Sequence, residues 1–186
     1  MKPTVLALTL AAALPWSVHA AEYRQIQADQ SAVTFTYQQM GVTMEGKFRR
    51  FTGQLRFDPQ RPEAAQATVE VDLASIDTGS TESDQEVAGK TWFNTSAFPT
   101  ARFVTTGVKA LGDQRYEAVG QLTIKGKTQD VTIPATFAAQ GQTGVFDGRF
   151  TLRRGDFAIG EGAWAAFDVV ANDVQIQFHL TAQAGE

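Results

Sequence analysis

The stretch EGKFRRFTGQLRFD, residues 45–58, puts Phe51, Gly53, Leu55 and Phe57 on one phase of a strand and Phe48 on the other. One extra residue near Arg49 and Arg50 would return Phe48 to the inner face, so the sequence predicts a β-bulge there. A bulge bends and twists the strand that carries it, and strongly bent strands are how a sheet curls to closure.

The same period-two alternation extends outward in both directions. SAVTFTY opposes Val33, Phe35 and Tyr37 to Thr34 and Thr36, and ATVEVDL opposes Val69, Val71 and Leu73 to Thr68, Glu70 and Asp72. The pattern returns in DVTIPATF, VFDGRFTL and DVQIQFHL, and more weakly in EYRQIQ, ARFVTTGV and YEAVGQLTI; the phase of ARFVTTGV is not settled by its residues. Pro134 sits mid-strand without an N–H to donate, which implies a bulge or an opening between neighbours. LTIKGKTQDV supplies a tight hairpin around Gly126. About eight strands at meander spacing describe an all-β domain, an up-and-down antiparallel barrel or a sandwich. One helix, at about residues 81–90, interrupts them: STESDQEVAGK opens on hydroxyl residues, with Glu82, Asp84 and Glu86 early and Lys90 late, as capping and the helix dipole favour. The aromatic stretch TWFNTSAFPTARF, residues 91–103, follows at once, so helix and loop form one long crossover.

The chain opens MKPTVLALTLAAALPWSVHA, a lysine followed by an apolar run and small residues at Val18 and Ala20. This reads as a secretory signal peptide over residues 1–20, cleaved after Ala20, with a periplasmic destination and a single domain over 21–186. The run falls well short of the ~20 apolar residues a membrane-crossing helix needs. Without Lys2, fifteen basic residues face twenty acidic ones, a net charge near −5 that offers nothing to nucleic acid. The absence of cysteine excludes a thiol nucleophile, a thiolate metal site and a lipidated anchor.

Little in the chain resembles catalytic machinery. His179, the one histidine beyond residue 20, alternates with Gln175, Gln177 and Thr181 on a polar strand face, without the clustered partners of a metal site or triad. Glu82, Asp84 and Glu86 read as an acidic first turn, Gly160–Gly162 as turn material, Arg154–Gly155–Asp156 as a chance adhesion tripeptide, and Asn94–Ser96 as a sequon with meaning only where glycosylation occurs. No catalytic residue, metal or cofactor is expected. An enzyme acting on an apolar substrate would have to draw on Tyr37, Glu45 or Asp156. A small outer-membrane barrel has a suitable strand number, but it needs an apolar outer band where this chain places Thr68, Glu70, Asp72, Asp147, Arg149 and Gln175.

The thirteen phenylalanines fall mostly on inward phases or in the crossover. A barrel of about eight strands has room for its own side chains or one slender ligand. Gly53, Gly120 and Gly148 on the inward face would leave space along the axis, which points to an apolar tunnel with the crossover rings at its mouth. The expected lining is Phe35, Tyr37, Phe48, Phe51, Val71, Trp92, Phe93, Phe98, Phe103, Leu122, Phe137, Phe146, Phe150, Trp164, Ile176 and Phe178. Arg49, Arg50 and Arg102 are the candidates for an anionic or carbonyl head group, because guanidinium geometry suits phosphate.

The order and spacing of several motifs resemble the exported YceI-like, lipocalin-fold polyisoprenoid-binding proteins. The likeness runs through Gly46, Phe48, Phe51, Gly53, Phe57 and Asp58; Ser75–Thr78; Trp92, Phe93 and Asn94 with Phe98, Pro99 and Phe103; Gly120 and Leu122–Gly126; and Arg154, Asp156 and Phe157. The chain departs from the family pattern at Ser83–Asp84, at Arg153–Arg154 and at Ala158. The resemblance implies an eight-stranded antiparallel lipocalin-like barrel that binds or carries a long isoprenoid chain, such as a polyprenyl phosphate or a quinone tail, in the periplasm and without catalysis. The ending IGEGAWAAFDVVANDVQIQFHL is similar to a subgroup associated with membrane b-type cytochromes, which adds a cytochrome as a candidate partner; pairing with a second copy is left open.

Overall fold

The structure, a computed structural model, describes residues 21–185. The expected signal peptide lies outside the described residues. The chain runs β1 (Tyr23–Ile26), β2 (Ala32–Gln39), β3 (Val42–Phe48), β4 (Phe51–Phe57), β5 (Gln66–Asp72), β6 (Ile76–Asp77), α1 (Thr81–Ala88), β7 (Thr100–Gly112), β8 (Arg115–Ile124), β9 (Lys127–Gln140), β10 (Thr143–Arg153) and β11 (Asp173–Ala184). Every ladder is antiparallel, and β1 closes the ring by pairing with β4 on one side and β11 on the other. β1 with β2, β3 with β4, and β5 with β6 are each one strand interrupted once, so the ring is an eight-stranded barrel.

The continuous strand expected over residues 45–58 is two strands meeting at a corner. β3 stops at Phe48, and Arg49 and Arg50 leave the ladder. The backbone groups freed there find partners at Ser75: Arg49 N–H donates to its carbonyl at 3.0 Å, and Arg50 N–H donates to its hydroxyl at 3.0 Å. That hydroxyl donates in turn to the Asp72 carbonyl at 2.6 Å, so neighbouring strands break together at Arg49–Arg50 and at the single turn Leu73–Ser75. Two residues between Phe48 and Phe51, where strict alternation allows one, supply the extra length that the sequence required.

Pro134 marks an opening. β9 pairs with β8 from Lys127 through Pro134 to Thr136, but its ladder to β10 ends where Ala135 faces Gly148, one residue short of the proline. A residue without an N–H cannot continue a ladder on that side. The inward glycines do not behave as expected. A Cβ on Gly148 would strike the Phe178 ring opposite, one on Gly46 the Phe35 ring opposite, and one on Gly120 the Phe103 ring. Ile26 fills the space at Gly53. These glycines seat neighbouring side chains, so the space directly above them is filled.

The helix begins one residue after its Ser80 cap, whose hydroxyl accepts from Ser83 N–H, and ends at Ala88. Asp84 accepts from the N–H and hydroxyl of Thr78, fastening α1 to the end of β6. A second long segment, residues 154–172, folds over the same end of the barrel and is gathered by Arg154, 2% exposed. Its guanidinium donates to the carbonyls of Ile159, Gly160, Trp164, Ala166, Val170 and Ala171. No carboxylate pairs with it among the described residues. Burial pushes the guanidinium down from its ordinary value, yet a group that starts so high stays charged. Lys125 adds a second tether, donating to Ala158 O and to Glu161.

Three outcomes follow from this architecture. Gly148→Ala should destabilise the barrel by about 1–3 kcal/mol in chemical denaturation, since Phe178 could swing away but the Pro134 carbonyl, 2.8 Å from the new Cβ, could not. Arg154→Met should cost on the order of 3 kcal/mol by orphaning several carbonyls, with Arg154→Lys recovering only part of it; a loss below ~0.5 kcal/mol would show that the tether is dispensable. Acid should also weaken the fold. The Gln60 N–H and Arg61 hold Asp58 below the usual carboxylate range, Arg49 does so for Asp77, Arg24 and Arg56 for Glu22, and Lys125 for Glu161. Because the unfolded chain takes up these protons first, their stabilisation is complete above the ordinary carboxylate pKa of ~4 and is lost as pH falls through the lower folded values. Melting temperatures at pH 7 and pH 3 should differ, and Asp58→Asn should narrow the difference.

Candidate functional site

Inside the barrel lies a cavity of about 750 Å³. This is within the ~300–1,000 Å³ of small-molecule sites. Its wall comes from inward positions all around the ring, among them Val33 and Phe35 of β2, Val69 and Val71 of β5, Phe103 and Val108 of β7, Leu122 of β8, Ile133 of β9, Phe150 of β10 and Ile176 of β11. Outward positions remain polar and pair across strands, as Glu70 does with Arg102 and Asp147 with His179. These outward positions of the described strands hold charged pairs where a membrane barrel would present an apolar band. No helix among the described residues is long and apolar enough to cross a membrane.

One end of the cavity is closed. Tyr23, Phe57, Phe137 and Phe146 form a floor of edge-on and tilted rings with centroids 4.8–5.0 Å apart, and Tyr116 joins through Phe57 at 5.3 Å. Such aromatic pairs add about 0.5–1.5 kcal/mol each beyond area burial, so the floor is a stable plug. The other end opens beside α1, where the exposed residues Glu82, Ser83, Gln85 and Glu86 border the cavity together with Gln39 and Thr78. The crossover supplies the rest of this mouth. Trp92 packs on Trp164 at 5.5 Å and under the Arg154 guanidinium at 5.4 Å, while Phe93 meets Phe48 at 6.4 Å. Trp164 donates its indole N–H to Glu86 at 2.9 Å, joining the two loops that flank the opening. The indole N–H of Trp92 is buried with no partner among the described residues.

Of the expected lining residues, Phe35, Tyr37, Phe48, Val71, Trp92, Phe93, Phe103, Leu122, Phe146, Phe150, Trp164, Ile176 and Phe178 border the cavity. Three do not. Phe51 is buried at the corner, where its cross-strand partner Val71 supplies the wall; Phe98 packs its ring on Gly126 of the β8–β9 turn; and Phe137 belongs to the floor. The arginines also lie elsewhere. Arg49 pairs with Asp77 at 2.9 Å, Arg50 with Asp72 at 2.7 Å and Arg102 with Glu70 at 3.0 Å, all on the exposed outer side. Glu45 and Asp156 are exposed and away from the cavity, which leaves Tyr37 as its one member among the residues considered for an enzyme. Burial, and the Asp84 carboxylate, push the Tyr37 hydroxyl up, so it remains a neutral phenol. No group of three His, Cys, Asp or Glu residues among the described residues could hold a metal.

Sequence reasoning missed the polar lip from Glu82 to Glu86, taken there only as helix-capping chemistry, and the role of Arg154. The available signal for the lip was position: a helix inserted between strands of a barrel must sit over one of its ends. For Arg154 the alternation offered nothing, because its partners are backbone carbonyls.

Comparison with known proteins agrees with this geometry. Residues 25–182 match the YceI-like domain family. The UPF0312 protein of Pseudomonas syringae pv. tomato is 32% identical over 169 residues, covering 86% of this chain and 88% of the relative. The UPF0312 protein of Azotobacter vinelandii is 33% identical with the same coverage. Among solved structures, Burkholderia cenocepacia BcnA superposes with a TM-score of 0.84 at 39% identity, over 86% of this chain and 100% of that one. A polyisoprenoid binding domain from Saccharophagus degradans, implicated in plant cell wall breakdown, matches at 0.69 over 90% of this chain and 100% of that one; at 16% identity it shares the fold. With the family matched from β1 to β11 and the same barrel found in its solved relatives, the chain belongs to the YceI-like family.

Proposed function

We propose that this protein is an exported, periplasmic carrier that holds one long apolar molecule of the isoprenoid class, a polyprenyl or quinone-type lipid, inside the barrel. The observation that carries the reading is the apolar cavity of about 750 Å³, plugged by rings at one end and open beside α1 at the other. The polyisoprenoid binding domain of Saccharophagus degradans, on the same fold, supports the ligand class. The leader-like first twenty residues support export. Binding without turnover fits a site whose titratable side chains on the inner wall, apart from the saturated Arg154, are the two phenols Tyr37 and Tyr116.

Burial of alkyl chain supplies ~0.8 kcal/mol per methylene, a gross gain from which chain ordering and lost translation subtract. Tail contacts are non-directional, so the wall selects by width and length. A membrane b-type cytochrome as recipient or donor of a quinone is the second reading. It is favoured by the segment that resembles the cytochrome-associated subgroup: Ile159, Trp164 and Val170 border the cavity, and the same segment exposes Phe167 and Val169 to a partner.

Native purification followed by solvent extraction and mass spectrometry should recover one lipid per protein, and emptied protein should take up added polyprenol or quinone. Neither lipid nor uptake would overturn the carrier. Trp92→Ala and Phe103→Ala should weaken uptake by about tenfold each, whereas Thr34→Ala, on the outer face, should leave it unchanged.

A further inference from the structure

The cavity mouth has a sign. Its lip is the exposed face of α1, and among the described residues neither Glu82, Asp84 nor Glu86 takes part in an ion pair, although Glu82 and Glu86 border the cavity. The basic residues of this end are spent elsewhere. Lys47 and Arg49 both lie on Asp77, Arg50 lies on Asp72, and exposed Lys90, two residues beyond α1, does not border the cavity. Arg154 does border it, but its donors are directed at six backbone carbonyls of the covering loop, which leaves its fork unable to grip a phosphate in the bidentate manner that guanidinium recognition uses. A phosphate arriving at this mouth would meet two carboxylates and, among the described residues, no free cation bordering the cavity.

The remaining groups suit a different head. Gln39, Thr78, Ser83 and Gln85 can each donate or accept, and the carboxylates of Glu82 and Glu86 accept. We propose, resting on the carrier reading above, that the lip of α1 is a charge filter: the cargo bears an uncharged, hydrogen-bonding head group, and lipids ending in phosphate are rejected. Glu82 and Glu86 are the specificity-determining residues, and Gln39, Thr78, Ser83 and Gln85 are the groups that meet the head's oxygen.

The test uses three probes with one tail, geranylgeraniol, geranylgeranylamine and geranylgeranyl phosphate, titrated into delipidated full-length protein and followed by tryptophan fluorescence and native mass spectrometry. At low ionic strength the alcohol and amine should bind at least about tenfold more tightly than the phosphate, and the gap should narrow in ~0.5 M salt as the carboxylates are screened. In Glu82→Gln/Glu86→Gln the ratio of alcohol to phosphate affinity should fall toward one; the glutamine at 86 keeps an acceptor for the Trp164 indole, so the loops stay joined. A phosphate that binds as tightly as the alcohol, or a ratio that ignores the double substitution, overturns the filter while leaving the carrier standing. If none of the three binds, the carrier reading falls and the filter falls with it.

Discussion

A sheet that closes on itself must satisfy its last ladder as well as its first, and in this chain that duty falls on four residues. β1, from Tyr23 to Ile26, bridges β4 and β11, and without it both of those strands would present an open edge at the floor. Closure constrains what else is possible. It fixes which residues face inward, forces corners where the strands must bend, and encloses a volume that the inner side chains have to fill or leave hollow. The interruptions at Ala28–Gln30, Arg49–Arg50 and Leu73–Ser75 belong together in this light, because three neighbouring strands turn at one level and Ser75 satisfies the backbone groups exposed by two of the turns.

How the interior stays partly hollow is a matter of shape. Rings lie across glycines on adjacent strands, Phe35 on Gly46, Phe103 on Gly120 and Phe178 on Gly148. Each pairing lets a large ring lie close against the sheet instead of standing into the lumen, so the wall is thick and aromatic while the axis remains free. The floor gains the opposite result from the same residue type, with Phe57, Phe137 and Phe146 packed ring on ring, one pair edge-on and two tilted. Depth is set at one end by packing and access at the other by a polar helix.

Much of this could be read before any coordinates. Alternation gave the strands, the out-of-phase Phe48 gave the corner, Pro134 gave the break between β9 and β10, and the hydroxyl-rich, acidic start gave α1. The failures have physical causes. β7 showed no settled phase because its register to β8 slips between Thr105 and Gly107, so Phe103 and Thr105 face inward on odd numbers and Val108 on an even one. The arginines were offered to a ligand because their partners are distant in sequence; Arg102 meets Glu70 only once β5 lies beside β7. Inward glycines suggested empty space because a one-dimensional pattern cannot show which neighbour leans across. The residues bordering the mouth lie on a helix and two loops, where period-two reasoning has no purchase.

The β1–β11 seam joins the first described strand to the last. Gly185 N–H reaches back to the Glu22 carbonyl at 2.7 Å, and Ala182 is fully buried against the floor. β11 follows every other strand of the barrel in the chain, so until it takes its place the sheet keeps two raw margins, and contacts of such long range form slowly. The lumen, and any capacity to hold a guest, is thus a property that arises all at once, when the twelve residues of β11 dock.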